Sequence, residues 1–199
     1  MPRAVLPEVA HHLTHRGVNR EPIFIEDFDR HVYVDLVAKQ AKRFQVTLFG
    51  HCLMSNHVHW IAVPEEVDSL AKAFGEAHGR YAQDANARLG SHGHFWQDRF
   101  FSCGLDAGHR LVALRYVERN PVRARLVEAA DQWPWSSATV HVGRQRAPSW
   151  MSRVWRSGLH RPSGRCVDDR RSAQWTRQVR QAFSTRDPGG PLLSRLQSL

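Results

Sequence analysis

Val46-Thr47-Leu48-Phe49-Gly50-His51-Cys52-Leu53, then Met54-Ser55-Asn56, then His57-Val58-His59-Trp60-Ile61-Ala62-Val63-Pro64 is the stretch that decides the fold. Two apolar-rich runs of strand length flank a three-residue connection, which predicts an antiparallel hairpin; Pro64 ends the second arm because it cannot donate to a ladder. His57 and His59 leave the turn together. Alternate residues of a strand share a face and stand roughly 6 to 7 Å apart, so both imidazoles can turn toward one metal ion. A second pair, His92 and His94, flanks Gly93 in a predicted loop, where nothing fixes the backbone for ligation.

Upstream of the hairpin, Val9, His11, Leu13 and His15 alternate with Ala10, His12, Thr14 and Arg16, a period of two closed by Gly17 and Asn19. This predicts a first strand and turn. Phe28, Val32, Leu36, Val37, Ala41 and Phe44 then recur at helical spacing behind a candidate N-cap, Asp27. Downstream, Asp68 or Ser69 caps a second helix through Leu89, with Leu70, Phe74, Ala77 and Tyr81 on one side, and Gly90 to Gly93 stop it. Phe95 to Leu105 reads as another strand. Asp106 caps a third helix ending at Asn120-Pro121, and a short helical piece, Val122 to Ala130, follows. The order β-α-β-β-α-β-α predicts an α+β domain, a ferredoxin-like or RRM-like antiparallel sheet with helices on one face. Val46 to Leu53 offers an edge for pairing, which leaves monomer and homodimer both open.

With 199 residues, 42% of them apolar and 24% charged, the chain can bury one core and carry an extension. No run approaches the ~18 apolar residues of a membrane span, and the start lacks a secretory pattern, so a soluble, cytosolic protein without membrane contact is expected. Cys52, Cys103 and Cys166 have no CxxC spacing, which argues for free thiols. The net charge of +9 is concentrated at one end. Residues 1–143 hold sixteen Lys or Arg against sixteen Asp or Glu, whereas 144–199 hold twelve Arg against three Asp. The expected division is therefore a domain over 1–143 and an arginine-rich extension over 144–199. Prolines 148, 162, 188 and 191 break the extension, leaving at most one helix near Ser172 to Phe183. Trp150, Trp155 and Trp175 among its arginines suit a nucleic acid, since Arg pairs with phosphates and Trp stacks on bases; a solvated arm is the plain alternative.

Two histidines leave most of a metal's coordination open, which suits catalysis better than structural support. On the third helix Leu111, Leu114 and Val117 form one stripe, while His109, Val112, Ala113, Tyr116 and Asn120 lie on a different side. Tyr116 need not be a core residue on that spacing, and Asn120, one turn on, places an amide oxygen beside the phenol. Equally, Tyr116 can be a packing residue and Asn120 a helix end before Pro121.

Four separated motifs carry a resemblance. Leu53-Met54-Ser55-Asn56-His57-Val58-His59, Phe95-Trp96-Gln97-Asp98-Arg99-Phe100, Tyr116-Val117-Glu118-Arg119-Asn120-Pro121-Val122-Arg123-Ala124 and Trp133-Pro134-Trp135-Ser136-Ser137, in that order, resemble the HUH single-tyrosine transposases. The match is closest to the REP-associated tyrosine transposases, relatives of the small transposases of bacterial insertion sequences. His15-Arg16-Gly17 and Asn19-Arg20 also look like that family's first strand and turn, and the likeness spans about residues 3 to 143.

The resemblance implies a transposase and endonuclease that cleaves and rejoins single-stranded or hairpin DNA, such as REP-like elements, through a 5'-phosphotyrosine intermediate. Tyr116 would be the nucleophile. His57 and His59 would hold a divalent ion, Mg2+ or Mn2+, with Asn120 as a third ligand where some relatives carry Gln. Arg16, Arg99, Arg115, Arg119 and Arg123 flank these motifs and can contact phosphates. It also implies a bacterial protein of the cytoplasm, on the nucleoid. Two other readings fit the same topology: a non-catalytic single-stranded nucleic-acid-binding module, and a metal-dependent nuclease that activates water.

Overall fold

The computed structural model of the chain describes residues 5–152. Cys166, Trp155, Trp175 and the helix expected near Ser172 to Phe183 lie outside the described residues, and among those described no helix is long and apolar enough to cross a membrane. Strand β1 (Ala10–Arg16) leads through a 3-10 turn into helix α1 (Asp27–Arg43); β2 (Val46–Leu53) and β3 (His57–Pro64) form the expected hairpin; α2 (Ser69–Leu89) and β4 (Phe101–Leu105) follow. Three short helices, α3 (Arg110–Glu118), α4 (Asn120–Arg123) and α5 (Ala138–His141), complete the body. The strands form one antiparallel sheet in the order β2-β3-β1-β4, which is the ferredoxin-like arrangement expected from the element order.

Alternation along the strands sorts the core into two layers. Leu13, Val58, Trp60 and Ala62 face α1 and α2, where Tyr33, Val37, Leu70, Phe74 and Tyr81 meet them. Ala10, Cys52 and Ile61 point the other way, onto Ala113, Leu114, Tyr116 and Val117 of α3. The long helices thus share one face, as expected, while the short C-terminal helices cover the opposite one. The sequence pattern did not resolve that split, because β1 and β3 are buried on both faces although β1 carries few apolar residues on either.

Local chemistry sets the helix ends. Glu26, rather than Asp27, is the N-cap of α1, and Asp29, at the third helical position, reaches back to the backbone N–H groups of Ile25 (2.7 Å) and Glu26 (3.0 Å). Its other oxygen pairs with Arg88 at 2.6 Å and ties the start of α1 to the end of α2. Gly90, at φ 60°, closes α2 in the left-handed conformation.

Three expectations need correction. The strand foreseen over Phe95 to Leu105 begins only at Phe101: Trp96 stacks on His15 (4.2 Å between centroids) and donates its indole N–H to the His78 carbonyl at 3.0 Å, so 95–100 packs on the α1–α2 layer and keeps only an isolated bridge, Trp96 to Gly17, beside the end of β1. The helix foreseen over Val122 to Ala130 stops at Arg123, because Arg125 turns the chain at φ 58°; only a 3-10 turn, Ala130–Gln132, follows. The packed body also continues past Gly143. Met151 is buried and bridges to Leu48, and Trp150 packs beside His51 and Trp60, so this tryptophan is occupied by the core rather than displayed for stacking on bases.

The same C-terminal segment takes up the outer edge of β2. Leu53 N–H donates to the Trp135 carbonyl (2.9 Å), Ser137 N–H to His51 (3.0 Å) and Ser152 N–H to Leu48 (2.8 Å). Along 46–53 much of the free edge is therefore paired within the chain itself.

Gly17, at the exit of β1, has no room for a side chain: a Cβ there would stand 2.5 Å from the Glu21 carbonyl oxygen and 2.7 Å from Ile23 Cγ2. Gly79, within α2, has open space at the same position. Gly17→Ala is expected to cost about 1–3 kcal/mol, and Gly79→Ala to stabilise by about 0.5–1 kcal/mol, in urea unfolding. Equal midpoints for the two variants would contradict this packing.

Candidate active site

The register of the sheet assembles the site. Thr14 lies opposite His59 and Arg16 opposite His57, and β1 presents His12, Thr14 and Arg16 on the face that carries both histidines of β3. α3 and α4 close over that face and leave a cleft of about 290 Å³ lined by His57, His59, Tyr116, Asn120, Arg16 and Arg123 among others. Four residues drawn from two distant parts of the sequence, His57, His59, Tyr116 and Asn120, therefore share one concavity. Arg99, Arg115 and Arg119 do not line it: Arg99 is exposed in the 95–100 segment, and the other two are half-buried near the end of α3. His92 and His94 are exposed in their loop.

The two imidazole rings of β3 stand 5.0 Å apart, nearly perpendicular at 87°. Asn56 donates its amide N–H to the Arg20 carbonyl (2.9 Å), which turns its oxygen to accept the Nδ1 proton of His57 at 2.7 Å. The Nε2 lone pair of His57 is thereby left for the cleft. His59 Nδ1 meets His12 Nε2 at 2.9 Å, again leaving Nε2. Asn120 donates its amide hydrogens back to the carbonyls of Tyr116 (3.0 Å) and Val117 (3.1 Å), which leaves its oxygen. Burial, with Arg16 adding to it, lowers the pKa of His57 to about 4. Burial first, then His12, His57, Arg16 and Arg123, holds His59 well below its usual value. Both rings are neutral at physiological pH and able to ligate.

These observations test whether a divalent ion fits. Two neutral imidazole nitrogens and an amide oxygen, each with its protons tied elsewhere, face one open cleft, and this donor set fits a cation that keeps free positions for a substrate. Among the described residues no three His, Cys, Asp or Glu side chains gather into a closed structural site.

Tyr116 is more enclosed than its helical spacing suggested, with 8% exposure. Its ring meets those of His12 and His59 edge-on at 6.0 and 6.1 Å, and the Arg123 guanidinium lies 4.8 Å from its centroid. Glu118, two residues on, is fully buried and fixes the helix: its carboxylate accepts the Ser137 hydroxyl and the His141 Nδ1 proton, the latter at 2.5 Å. Sequence reasoning missed His12, Asn56 and Glu118 as supports. Asn56 stood beside the pair, and His12 shares the alternation of Thr14 and Arg16, but only the register across strands brings it to His59.

The model of the IS200-like transposase family matches residues 6–120, a span that contains all four cleft residues. Among solved structures, that of a REP-associated tyrosine transposase bound to a REP hairpin superposes with a TM-score of 0.62 at 18% identity, covering 84% of this chain and 98% of that one, and is a likeness of fold. A Deinococcus radiodurans R1 protein described as a transposase reaches a TM-score of only 0.41 at 15% identity over 60% of this chain and 95% of its own. No curated protein matches the sequence.

Burial also sets the acid limit of the fold. His12 and His57 are held at about 4, mainly by burial, against an ordinary value of 6.5. Below pH 6.5 the unfolded chain takes up protons that the folded one refuses, so their stabilisation is complete above that value and lost as pH falls toward 4. The melting temperature at pH 4.5 is expected to lie roughly 5 °C or more below that at pH 6.5. A flat profile across this window in thermal unfolding would show that these rings are not held neutral.

Proposed function

The chain belongs to the IS200-like transposase family, and on that premise we propose that it cleaves and rejoins single-stranded DNA through Tyr116, at hairpin elements of the kind bound by its REP-associated structural relative. The observation that carries the reading is the convergence of His57, His59, Tyr116 and Asn120 on one cleft flanked by Arg16 and Arg123. A phosphodiester brings negative charge, and the two guanidiniums offset it and draw the backbone in. The Tyr116 oxygen attacks phosphorus, the bond to the 3' oxygen breaks, the phenolic proton passes to water and the departing oxygen takes one up as a 3'-hydroxyl. The product is a 5'-phosphotyrosine.

Because the ester retains the energy of the bond that was broken, another 3'-hydroxyl can attack it and release the phenol, so rejoining needs no nucleotide cofactor. His57, His59 and Asn120 would hold Mg2+ or Mn2+, which when bound polarises the phosphate and stabilises the charge that develops on it. Tyr116 sits on a helix anchored by Glu118, so its oxygen is aimed by a rigid element rather than by a loop. Arg99, Arg115 and Arg119, which lie outside the cleft, would contact phosphates of the rest of the strand.

Trapping on an end-labelled hairpin oligonucleotide separates this reading from its rivals. The native chain with Mn2+ is expected to give a denaturation-resistant protein–DNA adduct, and Tyr116→Phe to lower its yield roughly a thousandfold while retaining DNA binding. Cleavage without adduct would point to a nuclease that activates water, and binding without cleavage to a recognition module. An adduct undiminished in Tyr116→Phe would remove this tyrosine from the chemistry.

A further inference from the structure

We infer that His12 is a positioning residue for the metal site: it accepts the Nδ1 proton of His59 and so keeps the His59 Nε2 lone pair directed into the cleft. The inference rests on the reading of His57 and His59 as metal ligands and assigns a role to a side chain outside that ligand set.

The geometry allows two proton arrangements. The rings of His12 and His59 are 3% and 6% exposed, stack at 5.1 Å with a 19° tilt, and are joined Nε2 to Nδ1 at 2.9 Å. One proton lies between those nitrogens. If His12 donates it, His59 carries its own proton on Nε2, where it occupies the lone pair a cation needs. If His59 donates it, His59 Nε2 is bare and ready to ligate. Only the second arrangement supports metal binding, and it requires an acceptor at the place held by His12 Nε2. His57 solves the same problem with a different partner, the oxygen of Asn56. Each histidine of the pair is thus set by its own neighbour, and the two neighbours come from different strands and turns.

The arrangement has a cost that makes it testable. With His12 accepting at Nε2, its own proton must sit on Nδ1, which is buried without a hydrogen-bond partner. A glutamine here can offer an amide oxygen near the position of Nε2, although it brings an amide NH2 of its own into the buried site, whereas leucine fills similar space and offers no acceptor. A purely structural His12 would be replaced equally well, or equally badly, by both.

The experiment uses the full-length protein without DNA. Mn2+ affinity, read from the paramagnetic resonance of free Mn2+, is expected to fall roughly 10- to 100-fold in His12→Leu and to lie closer to the native value in His12→Gln, which keeps an acceptor. Nitrogen-15 NMR of histidine-labelled native protein saturated with Mg2+ is expected to find His59 protonated at Nδ1, its signals assigned by their loss in His59→Ala. This measurement decides the matter even where the leucine variant fails to fold. Native affinity in a folded His12→Leu, or a loaded His59 protonated at Nε2, overturns the inference. If Mn2+ binding survives His59→Ala, the metal reading falls and the inference with it; if it is lost there but kept in His12→Leu, the inference alone falls.

Discussion

The antiparallel register of β1 against β3 is the constraint on which the cleft depends. With Thr14 opposite His59 and Arg16 opposite His57, the central strands put His12, Arg16, His57 and His59 on one face. A slip of one residue in either strand would send that strand's members to the other side and split the set. The register is held by burial on both faces, because Leu13, Val58 and Trp60 must meet α1 and α2 while Ala10 and Ile61 must meet α3. Hydrophobic sorting thus places polar side chains that contribute little to it.

Two buried polar networks then fix what the sheet alone would leave loose. In the first, Trp60 donates to the Tyr33 hydroxyl (3.2 Å), Tyr33 to His78 Nε2 (2.9 Å), His78 to His15 (2.8 Å between Nδ1 atoms) and His15 to the Asp98 carbonyl (2.6 Å). That terminal carbonyl accepts only, so every proton in the chain has one direction, and 95–100 is held against β1. In the second, Glu118 gathers Ser137 and His141 and binds the helix of Tyr116 to the segment that covers β2. Networks of this kind rigidify when satisfied, and both lie beside elements that carry cleft or basic residues.

The hairpin, α1 and α2 were legible in the sequence because their periods are long and their ends are marked by Pro64, Asp68 and Gly90. The His57 and His59 pair was legible because spacing on a strand is geometry. What sequence could not supply was contact between strands: His12 looked like one of several histidines in β1 until His59 was found 2.9 Å away. Aromatics misled in two places. Phe95 and Trp96 have strand propensity, yet stacking on His15 and packing on α2 outweighed it, and Trp150 packed where a nucleic-acid-binding extension was expected. Tyr116 was placed off the apolar stripe of α3, but a short helix lying across a sheet buries a broader arc than two leucines and a valine define.

On the proposed reading, Tyr116 and the histidine pair must each hold their place while charge changes at the other. The fold provides that separation. The proposed ligand pair, His57 and His59, stands on β3, hydrogen-bonded to Asn56 from the turn and to His12 from β1, whereas Tyr116 stands on α3 and is anchored through Glu118 to α5 and the 137 region. Asn120 joins the two halves: its amide hydrogens are spent on the last turn of the tyrosine helix, and its oxygen is left for the side where the histidines lie. Asn120, the proposed third ligand, opens α4 but is tied to the last turn of α3, the helix that carries the phenol. A shift of α3 would move Tyr116 and Asn120 together, preserving their mutual geometry while changing their distance from the histidines, so the contact between α3 and the sheet is where the precision of the cleft is decided.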